Sequence, residues 1–151
     1  QAIFLKCVRI EKFCTFPTIE YLKLYKRILL AFLLGNEDLH LKNLSVVTRG
    51  GKVELSPVYD FVNSTIINPH GKDELALSLG EKKLGFTKND FVNEFAVNTL
   101  FLTKVKAEKE LQSLLQCVPQ WIKMIEKSFL SADLKKKYIE LVTERASRLE
   151  I

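Results

Sequence analysis

After Pro17 the apolar positions recur at helical spacing. Leu22, Tyr25, Leu29 and Phe32 fall on one face, and Leu30, Ala31, Leu33 and Leu34 make the second half apolar on most sides. The pattern predicts a helix with Thr18 as N-cap and Glu20 in its first turn, closed by Gly35 as a left-handed C-cap. Beyond it the period changes. Leu44–Arg49 and Lys52–Pro57 read as two strand arms meeting at Gly50-Gly51, a small-residue pair suited to a tight hairpin turn. Folding there pairs position 44 with 57 and sets Asn43 opposite Val58, with Asp60 just beyond. Gln1–Ile10 is apolar and tolerant of strand. The polar stretch Asn63–Asp73, with Pro69, His70 and Gly71, reads as a loop, and alternation at Leu75, Leu77 and Leu79 predicts a short half-buried strand. Thr87–Asp90 reads as a capping box opening a helix with Phe91, Phe95 and Leu100 inward. Two more helices follow, Glu108–Val118 and Pro119–Leu130, the second with Trp121, Ile122, Ile125 and Phe129 on its core face. Ser131 then caps a last helix in which Leu134, Tyr138, Leu141, Val142, Arg145 and Leu149 trace one side.

Composition narrows the class. At 151 residues, 47% hydrophobic and 27% charged, the chain fits one soluble globular domain with a substantial core. The longest wholly apolar run, Ile28–Leu34, is too short to span a bilayer, and no signal-peptide pattern opens the chain, so no membrane partner is expected. The first residue is Gln, as in a piece of a longer product. A net charge of +5 suits an anionic partner such as a nucleotide phosphate and is also common in lysine-rich proteins. Cys7, Cys14 and Cys117 have no metal-ligand spacing, and the expectation is a reduced cytoplasmic protein. The run Lys135–Lys137 reads as a solvated helix face, so direct nucleic-acid contact is not expected.

The candidate chemistry lies between Gly35 and Asp60. Asp38 and Asn43 are five apart, and the hairpin brings Asp60 to the same end of the ribbon. A carboxylate that accepts a hydroxyl proton, with an amide and a second carboxylate as oxygen ligands for Mg²⁺, is the set that phosphoryl transfer uses. The protein-kinase catalytic loop has the same Asp-to-Asn interval, and Asp60-Phe61 matches the start of its D-F-G, although Val62 replaces the Gly and no His-Arg precedes Asp38. Lys42 can neutralise a transferring phosphate or simply be solvated. Tyr59 is expected to pack beneath the loop. A metal role for His40 lacks companions, since His70 is the only other histidine. No glycine-rich phosphate loop occurs, the six glycines being scattered, and Lys6 stands too close to Asp38 to be the phosphate-pairing lysine of a separate lobe.

At Gly35, Asn36, Asp38, His40, Lys42, Asn43 and Ser45, then Pro57, Tyr59 and Asp60, the sequence resembles the HipA family of bacterial toxin kinases, whose pattern is roughly G-N-x-D-x-H-x-K-N-x-S, a hairpin and P-x-Y-D. The resemblance continues through Glu74–Gly80 and Pro119–Arg148. It implies a mainly α (α+β) fold, a protein-kinase-like helical C-lobe with a small β-hairpin at its active edge. Residues 1–151 would form that single lobe, the N-terminal ATP-binding lobe being absent or mostly absent. It further implies an ATP- and Mg²⁺-dependent serine/threonine kinase, with Asp38, His40 and Lys42 in the catalytic loop, Asn43 and Asp60 as metal ligands, and Tyr59 beside them at the nucleotide. The partners implied are a translation-related protein substrate, a DNA-binding antitoxin and a separate N-terminal lobe. Two other readings stand beside it: a non-catalytic or split kinase-lobe module that binds an antitoxin or N-lobe, and a metal-dependent phosphodiesterase using Asp38, His40 and Asp60.

Overall fold

The computed structural model describes residues 9–68 and 73–150. Its spine is helix α1, Pro17–Leu34. Proline at the first helical position needs no N–H partner and has its φ already set, so the N-cap is Phe16 rather than Thr18. No side chain caps this end. The Phe16 carbonyl instead accepts from Ile19 N and Glu20 N, at 3.0 and 3.3 Å. Tyr25, Ile28, Leu29, Ala31, Phe32 and Leu33 are fully buried, which makes the second half of α1 the centre of the core. Gly35 closes it with φ of 76°, its N–H turned back to the last carbonyls.

The hairpin comprises β1, Val46–Arg49, and β2, Lys52–Leu55, antiparallel with Val46 opposite Leu55 and Arg49 opposite Lys52. The predicted pairing holds one step further, where Ser56 N donates to Ser45 O at 2.8 Å. Charges buried in α1 mount this ribbon. Glu20, 3% exposed, accepts from Leu55 N at 2.8 Å, and Arg27 donates to the Ser56 carbonyl. Burial lowers the Arg27 pKa from its ordinary value, opposed by the nearby Glu20. Thr15 adds two bonds, its hydroxyl accepting from Val53 N and its N–H donating to Val53 O.

Later in the chain, α2 (Lys104–Leu115), α3 (Val118–Lys127) and α4 (Ala132–Glu150) pack around this spine, preceded by a π-helix at Asp90–Thr99. The protein is mainly α with one small hairpin, as the sequence predicts. The wide π turn sets Phe91, Val92, Phe95 and Ala96 on one buried strip. Phe32 meets Phe91 at 5.0 Å and Phe86 edge-on at 5.9 Å. Burying each such ring stabilises the fold by about 1.5–3 kcal/mol.

Several local expectations are corrected. The Leu75–Leu79 alternation puts Leu75, Leu77 and Leu79 in the core, yet among the described residues the segment forms no strand: it meets the following residues at an isolated bridge between Leu79 and Lys82 and at a bond from Glu74 N to Lys83 O. Arg9 and Ile10 are helical rather than extended; the rest of that predicted strand, with Lys6 and Cys7, lies outside the described residues, as does His70. In the Thr87–Asp90 box the Asp90 carboxylate accepts from Thr87 N at 2.7 Å, but the Thr87 hydroxyl also donates to it. Phe129 falls in the bend after α3 and is fully exposed, so the core face of that helix rests on Ile125 with Trp121 and Ile122 half-buried. Each lysine of Lys135–Lys137 has a local acceptor: Glu126 O, Glu140 and Asp133.

The segment after the loop is pinned by an ion pair between Arg148 and Glu74 at 2.6 Å, with Phe86 N donating to the same carboxylate at 3.2 Å. Burial alone would raise the Glu74 pKa, but these two donors outweigh it and hold it below its ordinary 4.5. The folded state therefore binds fewer protons than the unfolded chain in this range. The stabilisation is present above about pH 4.5 and is lost as pH falls through the lowered value. Glu74→Gln should flatten the acid limb of the stability-against-pH curve in urea melts. An unchanged limb would remove this pair as its cause.

Candidate active site

The loop 36–43 leaves the buried end of α1 and is shaped by its own side chains. Asn36 is wholly buried and its Oδ1 accepts from Asp38 N at 2.9 Å, an Asx turn that swings Asp38 outward. His40 Nε2 lies 2.9 Å from Asp38 Oδ1, so one carboxylate oxygen of Asp38 is held within the loop. A 3-10 turn, Leu41–Asn43, then buries Asn43 at 8% exposure, with its N–H donating to His40 O. Asn43 Nδ2 donates to Asp38 O at 3.1 Å and sits 3.5 Å from Asp60 Oδ2. That second distance is long for a hydrogen bond. The two ligand candidates stand side by side without being locked together.

Asp60 arrives from the other arm in a left-handed conformation, φ 52°, unusual for a residue with a Cβ although tolerated best by Asn and Asp. Ahead of it, the Tyr59 hydroxyl donates to Lys42 O at 2.8 Å, fastening the two approaches to the site. Tyr59 is 42% exposed, so it ties the loop from its side rather than packing beneath it. The Lys42 side chain is exposed at the same edge. The structure thus brings Asp38, His40, Lys42, Asn43, Tyr59 and Asp60 to one end of the ribbon.

Asp60 and Asn43 offer hard oxygen donors, which suits Mg²⁺, a cation commonly held by one or two protein ligands with waters and phosphates completing its shell. Among the described residues no three His, Cys, Asp or Glu side chains converge as a metal site. A phosphodiesterase built on Asp38, His40 and Asp60 therefore has no metal cage there.

Sequence reasoning missed the supports. Behind the loop, Glu37 N donates to Ser64 Oγ at 2.9 Å, and Ser64 N and Thr65 N donate to Gly35 O. Arg145, 3% exposed, donates to Phe32 O at 2.5 Å. Charged Glu20 and Arg27 were legible as an anomaly, since they sit seven apart on a face otherwise destined for the core. Arg145 likewise falls on the apolar side of the last helix, but nothing local named its partners.

The HipA-like C-terminal domain family matches residues 5–122. A Haemophilus influenzae protein provisionally named a kinase is 31% identical over 110 residues, covering 62% of this chain and 32% of that protein. In structure, a chain from the Shewanella oneidensis toxin–antitoxin complex of HipA, HipB and operator DNA superposes with a TM-score of 0.79 at 20% identity, over 96% of this chain and 35% of that one. The chain spans about a third of the length of both relatives. Among the described residues no helix is long and apolar enough to cross a membrane. With residues 5–122, most of its length, matched by the family model, the chain belongs to the HipA-like C-terminal domain family.

Proposed function

We propose that this chain is the catalytic lobe of an ATP- and Mg²⁺-dependent serine/threonine protein kinase of the HipA type, working in the cytoplasm with an N-terminal ATP-binding lobe and a DNA-binding antitoxin. The observation that carries this reading is the meeting of Asp38, Asn43 and Asp60 at the mouth of the hairpin. Asp38 accepts the proton of the substrate hydroxyl and orients its oxygen, while His40 keeps the carboxylate in place through Oδ1. Asn43 and Asp60 hold the metal, and Lys42 lies at the exposed edge where a transferring phosphoryl group needs positive charge. Bound Mg²⁺ neutralises the phosphate charge that builds in the transition state. Since such transfer depends on positioning and charge, a rigid mount behind the loop matters as much as the groups themselves. The protein substrate in translation and the antitoxin rest on kinship alone.

A thermal shift with ATP, with and without Mg²⁺, on this chain and on Asp60→Asn tests the site. Nucleotide at about ten times its Kd stabilises the fold by ~1.4 kcal/mol, a rise in Tm of roughly 3–6 °C for this size. The expected result is a Mg²⁺-dependent rise that Asp60→Asn removes. No rise in either protein means that the site needs a separate N-terminal lobe, or favours the second reading, a non-catalytic module for an antitoxin or N-lobe.

A further inference from the structure

We propose that Arg145, in the last helix, is a positioning residue for the candidate active site, acting on Asp38 through Glu37 and Thr65. The proposal deepens the kinase reading and rests on it for its functional meaning. A guanidinium buried to 3% exposure is costly unless its donors are met. Arg145 meets its own at the site's foundations. Nη1 donates to Phe32 O at 2.5 Å, near the end of α1. Nη2 lies 3.5 Å from Thr65 Oγ1 and 3.8 Å from Glu37 Oε1. The guanidinium also stacks over the Phe32 ring at 5.1 Å.

These contacts join the two backbone segments that carry the chemistry. Glu37 immediately precedes Asp38, and its carboxylate is 2.7 Å from Thr65 Oγ1, which also reaches Gly35 O at 3.0 Å. Thr65 follows Asp60 on the outgoing strand of chain. One side chain from α4 therefore sets the entry to Asp38 against the exit from Asp60. A purely structural arginine would need only the helix-end carbonyl and the aromatic stack. The planar fork that also faces Thr65 and Glu37 is the feature lysine cannot reproduce. Arg145 also lies beyond residues 5–122, the part matched by the family.

The test follows the Asn43 side-chain amide by NMR in the intact chain, because its nitrogen sits between Asp38 O and Asp60 and reports their spacing. In Arg145→Lys, which keeps the charge and can still reach Phe32 O, the expected result is cooperative unfolding and unmoved Leu111 and Phe95 signals. The Asn43 amide pair should broaden or move to free-amide shifts, and the apparent Kd for MgATP should weaken tenfold or more. Thr65→Val should displace the same resonances while leaving the bond from Arg145 to Phe32 O in place. Arg145→Met should do so more strongly; should it fail to fold, the first two variants decide. An Asn43 amide that stays put in both Arg145→Lys and Thr65→Val overturns the proposal. A wild-type chain whose spectrum ignores MgATP would instead count against a nucleotide site complete in this lobe, while the amide comparison still decides what Arg145 positions.

Discussion

Asp38→Ala is expected to slow phosphoryl transfer by about 10²–10⁴-fold, the range a positioned general base contributes, while MgATP binding stays near wild type. The separation follows from where the atoms lie. Asp38 points out of the Asx turn made by Asn36, whereas the metal candidates come from other elements, Asn43 buried in the 3-10 turn and Asp60 exposed beyond the hairpin, 3.5 Å from its amide. Removing the Asp38 carboxylate leaves the Asn43-to-Asp38 contact intact, because Asn43 binds the backbone carbonyl rather than the side chain. It also frees His40, so His40→Ala should give a smaller rate loss in the same direction. Single-turnover transfer from ATP in the chain joined to its proposed N-terminal lobe, beside calorimetric MgATP binding, makes the comparison. Equal loss of rate and binding would assign Asp38 to the metal or to loop integrity instead.

Gly35→Ala should carry the largest stability cost near the site, about 2–4 kcal/mol from a left-handed backbone and overpacking together. Gly35 has φ of 76°, and a Cβ there would stand 2.6 Å from Leu141 Cδ2 and 2.9 Å from the Asn63 amide. Leu141 can yield at its tip. Asn63 is less free, since its Oδ1 accepts from Ile66 N at 3.0 Å. Gly50→Ala is the control: its φ of 54° is also left-handed, but nothing lies within 4 Å of the added methyl. Urea melts should show Gly50→Ala losing only the backbone share, about 1–2 kcal/mol. Matching losses in the two variants would mean that crowding at the end of α1 contributes nothing.

The parts of this molecule that were legible in the sequence are those fixed by short-range rules. Gly50-Gly51 sets the hairpin, and a two-residue turn fixes its register, so the pairing of 45 with 56 and the approach of Asp60 to Asn43 followed by counting. Gly35 and the apolar half of α1 were likewise plain. What escaped depends on residues far apart. Alternation at Leu75–Leu79 states which side chains go inward, not whether another strand is there to pair with. Phe129 is apolar at helical spacing, yet α3 ends at Lys127 and leaves it in the bend. The π-helix has the same inward phenylalanines as an α-helix would. The supports of the site were the hardest, because Arg145 and Phe32 are separated by 113 positions and no local pattern links them.

The bonds from α1 to the hairpin have a consequence for assembly. In β2 the N–H groups of Val53 and Leu55 point away from β1, and each is already taken, by Thr15 Oγ1 and by the Glu20 carboxylate. A sheet edge with its donors answered by side chains offers no template to an incoming strand. Growth of this ribbon by β-augmentation, whether by a neighbouring lobe, a partner's tail or a misfolded copy, must therefore run along β1. The same carboxylate that seats the hairpin on its helix thus closes one side of the smallest of sheets.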